Sequence, residues 1–114
     1  MDIYTGIVET GSQRAATLGY PTINIPLADT DVSGIYAALV KVGEEEYEAV
    51  AFADQRRKLL EAHVLDFSGN LYGRNVRMRL VKKIRENKEF TNDVSLKEAV
   101  TNDIAALRAH FKHL

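Results

Sequence analysis

Apolar and polar residues alternate over several short segments of the chain, which is the pattern of β-strands with one buried face. Glycines and short polar stretches separate these segments and indicate turns. We predict strands at residues 3–9, 22–25, 35–42, 47–53, 60–67 and 76–84. In the third of these, both alternating faces are apolar, so we expect it to be covered on both sides. Gly6, inside the first, indicates a bulge or a close approach of another backbone.

In the last part of the chain, the spacing of apolar residues is that of a helix. Apolar residues recur there at spacings of three and four, which gives one apolar stripe formed by Leu96, Val100, Ile104, Leu107, Phe111 and Leu114. The stretch Ser95-Leu96-Lys97-Glu98 has the form of a capping box, so we predict that this helix is capped at Ser95. Short strands followed by one amphipathic helix predict a mainly β fold, a small antiparallel barrel or sandwich capped by the helix.

Length and charge narrow the class of protein. With 114 residues the chain is expected to form one domain, residues 1–114, that buries about two-thirds of its unfolded surface. A formal net charge of -1 gives no general attraction to nucleic acid or to an anionic membrane, so we expect neither as a partner. The chain has no cysteine and no apolar run of membrane-spanning length, and we expect a cytoplasmic monomer.

A proline-centred stretch, Leu18-Gly19-Tyr20-Pro21-Thr22-Ile23-Asn24, is the first candidate for chemistry. Pro21 fixes its own φ and favours an extended Tyr20, so the chain should enter Thr22 as a strand. Thr22 and Asn24 then point to the same face, and their side-chain oxygens suit a hard cation such as Mg²⁺. The alternative is that both are ordinary residues at a strand end.

The strand at residues 60–67 carries the second candidate, Glu61. Alternation puts its side chain on one face with His63, Leu65 and Phe67. A carboxylate near the mouth of a barrel can accept the proton of an attacking hydroxyl, which is most of what phosphoryl transfer needs beyond positioning and charge neutralisation. A solvent-exposed glutamate without a chemical role is the alternative. We expect His63 to pack or to hydrogen-bond, since no suitable second metal ligand accompanies it.

Several short motifs follow one another in the order that is typical of one enzyme family. They are Gly6, Gly11, the stretch 18–24, Gly34-Ile35-Tyr36-Ala37, Glu61-Ala62-His63-Val64-Leu65-Asp66-Phe67, Leu71-Tyr72-Gly73, and Ile84-Arg85 through Phe90. Together they resemble the riboflavin kinase family, whose members phosphorylate riboflavin to FMN. The resemblance covers nearly the whole chain.

The resemblance implies a six-stranded antiparallel Greek-key barrel with a C-terminal α-helix. It also implies that Mg²⁺, ATP and riboflavin meet at one site, with Glu61 as the catalytic base and with Thr22 and Asn24 at the metal. The residues implied to bind the nucleotide are Gly11, Arg14, Leu18, Gly19, Tyr20, Pro21, Thr22 and Asn24. Those implied to bind the flavin are Glu61, Arg85 and Phe90. Judged from the residues alone, Arg14 could bind a phosphate or lie solvated on the surface.

Two departures from the family pattern leave the function open. Ala15-Ala16 stands where the family usually has Gly-Arg in the loop that covers the phosphates, and residues 52–58 replace a longer flavin-site loop. A degenerate member that binds flavin or nucleotide without turnover is therefore one alternative, and a structural or interaction barrel is another. FAD synthesis is not expected, because it would need a separate domain with a His-x-Gly-His motif, which this chain lacks.

Overall fold

The computed structural model describes residues 2–9, 22–67, 70–88 and 90–112, which form six strands and one helix. The strands are β1 (Asp2–Ile7), β2 (Ile23–Pro26), β3 (Gly34–Val42), β4 (Glu45–Asp54), β5 (Leu59–Val64) and β6 (Asn75–Arg85), and the helix is α1 (Asp93–Lys112). All pairings are antiparallel and the strand order is β1-β6-β3-β4-β5-β2. Because β6 returns beside β3 after the consecutive β3, β4 and β5, the connection is a Greek key.

The two edge strands, β1 and β2, come together and nearly close the sheet into a barrel. The Glu9 N–H donates to the Asn24 carbonyl at 2.7 Å, just beyond the end of β1. Gly6 makes the approach possible, because a Cβ at this position would lie 3.0 Å from the Cβ of Ile25. The close approach expected at Gly6 and the six-stranded Greek-key barrel are both confirmed.

The third strand is covered on both sides, as its two apolar faces predicted. Ala38 and Val40 point into the barrel and join its interior cluster, which also includes Met78 of β6. On the opposite face, Ile35 and Ala37 pack beneath α1. The cluster under the helix consists of Ile35, Ala37, Val50, Leu65 and Leu107, with Phe52, Ile84, Ile104 and Phe111 at its margin. The apolar stripe of the helix therefore covers the outside of the barrel wall; Leu114 lies outside the described residues.

The fifth strand ends earlier than its alternation predicted. It stops at Val64; the Leu65 N–H still donates to the Glu48 carbonyl at 2.9 Å, in the register of the β4–β5 pair, but Asp66 then adopts a left-handed φ of 57°, which turns the chain away. Leu65 stays on the helix side, but Phe67 turns to the barrel interior and meets the Tyr47 ring edge-on. The prediction that Phe67 shares a face with Glu61 was wrong, since the turn at Asp66 breaks the period of two.

The helix begins two residues before the predicted cap. Asn92 is the residue that caps α1, because its Oδ1 accepts a hydrogen bond from the Ser95 N–H at 2.8 Å. The Asn92 carbonyl accepts from the Leu96 N–H at 3.3 Å. Ser95 and Glu98 lie exposed within the helix, so the capping-box prediction at Ser95 was wrong. Asparagine at position 92 offers an equally good cap one turn earlier.

Candidate active site

A cavity of about 660 Å³ lies on the outer face of the β4–β5 hairpin, beside the first half of α1. Its walls come from the residue before β2, from β3, β4 and β5, from the turn between β4 and β5, from the end of β6 and the segment after it, and from the helix. The residues that line it are Thr22, Ser33, Ile35, Val50, Phe52, Ala53, Asp54, Gln55, Arg56, Arg57, Glu61, His63, Arg85, Asn87, Lys88, Phe90, Leu96, Val100 and Asp103. Charged, aliphatic and aromatic side chains all contribute to this lining.

Strand register brings the candidate residues to the same face of the sheet. Glu61 lies opposite Phe52 of β4 on one side and opposite Asn24 of β2 on the other. Since directly paired residues of antiparallel strands share a face, these three side chains form one row. His63, two residues along β5, lies opposite Val50 and also lines the cavity. The prediction that Glu61 and His63 share a face is confirmed.

The carboxylate of Glu61 is largely buried, with 13% of its side chain exposed. Its Oε2 lies 3.3 Å from Nη2 of Arg57, and Nε of Arg57 donates to Oδ2 of Asp54 at 2.9 Å. Burial raises the pKa of Glu61 above the ordinary carboxyl value. The positive charge of Arg57 opposes this increase, and the negative charge of Asp54 adds to it. The net result is a carboxylate that holds a proton more strongly than a solvated one does.

Thr22 also lines this cavity, and its hydroxyl is a buried polar group. Its Oγ1 is buried and has no hydrogen-bond partner among the described residues. Asn24 is only 1% exposed and lies in the wall behind the cavity surface. A buried hydroxyl without a partner costs free energy, so a group that binds it would compensate that cost. Within the described ranges, no group of three or more His, Asp or Glu side chains could hold a metal ion.

The opposite wall is built by Arg85, at the end of β6, and Asp103 of the helix. Arg85 donates from Nε and from Nη2 to the two oxygens of Asp103, each at 2.9 Å. Its Cζ lies 5.8 Å from the centre of the Phe90 ring. Arg85 and Phe90, two of the three residues expected to bind flavin, thus contact each other, and the guanidinium of Arg85 is held by the helix. Its Nη1 also donates to the Glu86 carbonyl at 3.1 Å.

Sequence reasoning missed three residues of this site. Asp103 could have been noticed, because it is an acidic residue within the apolar stripe, between Val100 and Leu107. Asp54 and Arg57 were treated only as part of a departure from the family pattern, because their contact depends on the turn geometry. The expected nucleotide-binding residues Gly11, Arg14, Leu18, Gly19, Tyr20 and Pro21 lie outside the described residues.

Several known proteins are similar to this chain in sequence. The Flavokinase family model, described as riboflavin kinase, matches residues 3–111. The bifunctional riboflavin kinase/FMN adenylyltransferase of Escherichia coli K12 is 34% identical over 116 residues, which cover 94% of this chain and 37% of that protein. This chain therefore spans little more than a third of that relative.

Two solved structures have a similar fold. The riboflavin kinase of Trypanosoma brucei superposes with a TM-score of 0.68 at 26% identity, covering 96% of this chain and 79% of that one. A protein from Streptococcus pneumoniae described as a macrolide-efflux protein superposes with a TM-score of 0.81 at 26% identity, covering 93% of this chain and 38% of that one. No helix in the described part of this chain is long and apolar enough to cross a membrane. Because the family model matches almost every residue, this chain belongs to the riboflavin kinase family.

Proposed function

We propose that this chain transfers the terminal phosphoryl group of ATP to the 5′-hydroxyl of riboflavin, which gives FMN. The observation that carries the proposal is the buried carboxylate of Glu61, which faces a cavity that Thr22 also lines with a buried hydroxyl that has no partner among the described residues. A volume of about 660 Å³ lies within the range of small-molecule sites. Family membership supports the choice of riboflavin and a triphosphate as substrates.

Glu61 is the base in this proposal. Its carboxylate accepts the proton of the 5′-hydroxyl as that oxygen attacks the terminal phosphorus and the bond to the leaving nucleoside diphosphate breaks. A base acts best when its pKa lies near the working pH, and burial moves the pKa of Glu61 in that direction. Burial also excludes the bulk water that would compete with riboflavin for the carboxylate.

Thr22 and Asn24 are proposed to hold Mg²⁺ with the substrate phosphates. The Thr22 hydroxyl fits this role because its Oγ1 is buried and lacks a partner among the described residues. When bound, the ion would neutralise charge that develops on the transferring phosphoryl group. The remaining nucleotide contacts are proposed for Gly11, Arg14, Leu18, Gly19, Tyr20 and Pro21, outside the described residues.

The flavin ring is proposed to occupy the apolar part of the cavity. Phe52 and Phe90 offer aromatic surface there, and Phe90 lies beside the guanidinium of Arg85. Because Asp103 takes two donors of Arg85, the guanidinium would act mainly by holding Phe90 in place. We further propose that the protein works as a cytoplasmic monomer without nucleic-acid or membrane partners, in keeping with its net charge of -1.

Incubation with riboflavin, a panel of nucleoside triphosphates and Mg²⁺, followed by chromatographic detection of FMN, tests the proposal. We expect FMN to form with ATP. If no triphosphate gives FMN, the proposed transfer is wrong. Stoichiometric binding of flavin or nucleotide without FMN would identify a non-catalytic binder, and binding of neither would identify a structural barrel.

A further inference from the structure

The turn between β4 and β5 carries an arginine that joins two carboxylates of the cavity wall. The Arg57 backbone N–H donates to Oδ1 of Asp54 at 3.2 Å, and Nε donates to Oδ2 of the same residue at 2.9 Å. On its other side, Nη2 of Arg57 lies 3.3 Å from Oε2 of Glu61. Asp54 thus fixes the arginine at two points, and the free end of the guanidinium is directed at Glu61.

The two ion pairs of this guanidinium differ in length, and the difference matters for a base. Charge-assisted N–H···O bonds are about 2.7–2.9 Å long, so the pair with Asp54 is of full strength and the pair with Glu61 is loose. A carboxylate clamped by short bonds would have few lone pairs left for a substrate hydroxyl. The contact with Glu61 is longer, so Arg57 can orient this carboxylate without holding it as tightly as it holds Asp54.

We propose that Arg57, anchored by Asp54, is a positioning residue for phosphoryl transfer, which directs the Glu61 carboxylate into the cavity and balances its charge. This inference rests on the proposed function, since it assigns the surroundings of the proposed base. The turn that presents Arg57 is short, and Lys58 closes it with a left-handed φ of 57°. Residues 52–58, which depart from the family pattern, therefore still contribute Asp54 and Arg57 to this site.

The charges around Glu61 give the inference a measurable consequence. The polar and charged groups on the surrounding elements are His63 on β5, Asn24 on β2, Asp54, Arg56 and Arg57 at the turn, and Arg85, Lys88 and Asp103 across the cavity. Among them, Arg57 lowers the pKa of Glu61, whereas Asp54 and burial both raise it. Without Arg57, the Glu61 carboxylate would lose the contact that orients it, and turnover should fall.

The test compares Arg57→Gln and Arg57→Lys with the wild-type chain by two measurements. One is the separate determination of kcat and of the KM for riboflavin in FMN formation, and the other is the thermal midpoint of unfolding. We expect Arg57→Gln to lower kcat on the order of tenfold, with the KM for riboflavin and the thermal midpoint little changed. Arg57→Lys should restore part of the loss in kcat.

Arg77→Gln is the matched control, because it also removes one arginine charge but lies exposed on β6 opposite Thr5 and Lys41. It should leave both measurements unchanged. An unchanged kcat in Arg57→Gln would overturn the inference, as would a loss of kcat that Arg57→Lys does not restore in part. A wild-type chain that forms no FMN would overturn the proposed function together with this inference, whereas an active wild-type chain with an unchanged kcat in Arg57→Gln would overturn this inference alone.

Discussion

Arg85 and Asp103 form the ion pair that fastens the helix to the barrel beside the cavity. Both side chains meet in a two-point contact of 2.9 Å per bond, and Asp103 is only 4% exposed. The pair lies between the apolar cluster under α1 and the Phe90 ring. It therefore fixes the helix and one wall of the candidate active site at the same time.

Removal of one partner of this pair should destabilise the fold. In Asp103→Leu, Arg85 loses its two-point partner, and we expect a loss of about 1–3 kcal/mol in the free energy of unfolding. Urea titration measures this loss, and the thermal midpoint should fall by about 4 °C per kcal/mol. The double variant Arg85→Met, Asp103→Leu should recover part of the loss, because it leaves no charge unpaired. Strict additivity of the two single variants would contradict a coupled pair.

The helix cap gives a second test, with a control only three residues away. Asn92→Ala removes the side-chain acceptor of the Ser95 N–H, so we expect about 1 kcal/mol of destabilisation. Ser95→Ala changes an exposed residue within the helix and should stay within about 0.5 kcal/mol of wild type. Equilibrium urea unfolding of both variants measures the difference. A larger loss in Ser95→Ala than in Asn92→Ala would return the cap to Ser95.

Much of the barrel could be predicted from the sequence because its main signal is local. The period of two along β3 indicates directly that both of its faces are covered. The glycine at position 6 indicates directly that another strand lies close to it. The end of β5 could not be predicted, since it depends on the left-handed backbone at Asp66, and the period of two through Phe67 gives no sign of it. The cap of α1 was ambiguous, because Asn92 and Ser95 both have suitable side chains and lie one turn apart.

The candidate site could be predicted only in part, because only some of its contacts follow from local sequence patterns. Alternation placed Glu61 and His63 on one face, and a family resemblance suggested what Glu61 does there. The contact of Arg85 with Asp103 joins residues 18 positions apart, and no local pattern reports such a distance. The contact of Arg57 with Glu61 depends on the shape of one turn, which residue types alone do not fix.

The metal role of Thr22 predicts opposite effects on activity and stability. Thr22→Val keeps the shape of the side chain but removes Oγ1, which is buried and lacks a partner among the described residues. We expect FMN formation to be lost, whereas the thermal midpoint should stay the same or rise, because an unsatisfied hydroxyl costs about 1–3 kcal/mol. Rate measurements over a range of Mg²⁺ concentrations, together with thermal unfolding, provide the two values.

Thr22→Ser is the control for this prediction, since it keeps the hydroxyl and should retain Mg²⁺-dependent turnover. A Thr22→Val protein with the wild-type rate and an unchanged Mg²⁺ dependence would remove Thr22 from the metal site.

Ala15-Ala16, outside the described residues, is the subject of a prediction from the family resemblance. Replacing Ala15-Ala16 by Gly-Arg adds a positive charge and backbone freedom where the family binds phosphates. We expect tighter binding of ATP by calorimetric titration, in the range of one charge-assisted contact, about 1.5–3 kcal/mol. Unchanged affinity would mean that this loop does not cover phosphates in this chain.

Glu61→Gln should lower activity and raise stability at neutral pH. Glutamine keeps the size and polarity of the side chain but cannot accept the proton, so turnover should fall about 10²–10⁴-fold with riboflavin affinity little changed. Because burial raises the pKa of Glu61, the folded chain binds this proton more strongly than the unfolded chain does. The stabilisation that this proton gives is fully present below the unfolded pKa and is lost as pH rises through the folded one.

The ionised carboxylate therefore costs stability at neutral pH, and the thermal midpoint of Glu61→Gln should exceed that of wild type there. The excess should shrink as the pH falls toward the ordinary carboxyl pKa, because the wild-type side chain then becomes protonated. Glu45→Gln, at an exposed position on β4, controls for the loss of a surface charge and should show neither effect. If Glu61→Gln instead lowers the thermal midpoint and leaves turnover intact, the carboxylate only accepts hydrogen bonds that stabilise the fold. Another group must then accept the proton of riboflavin.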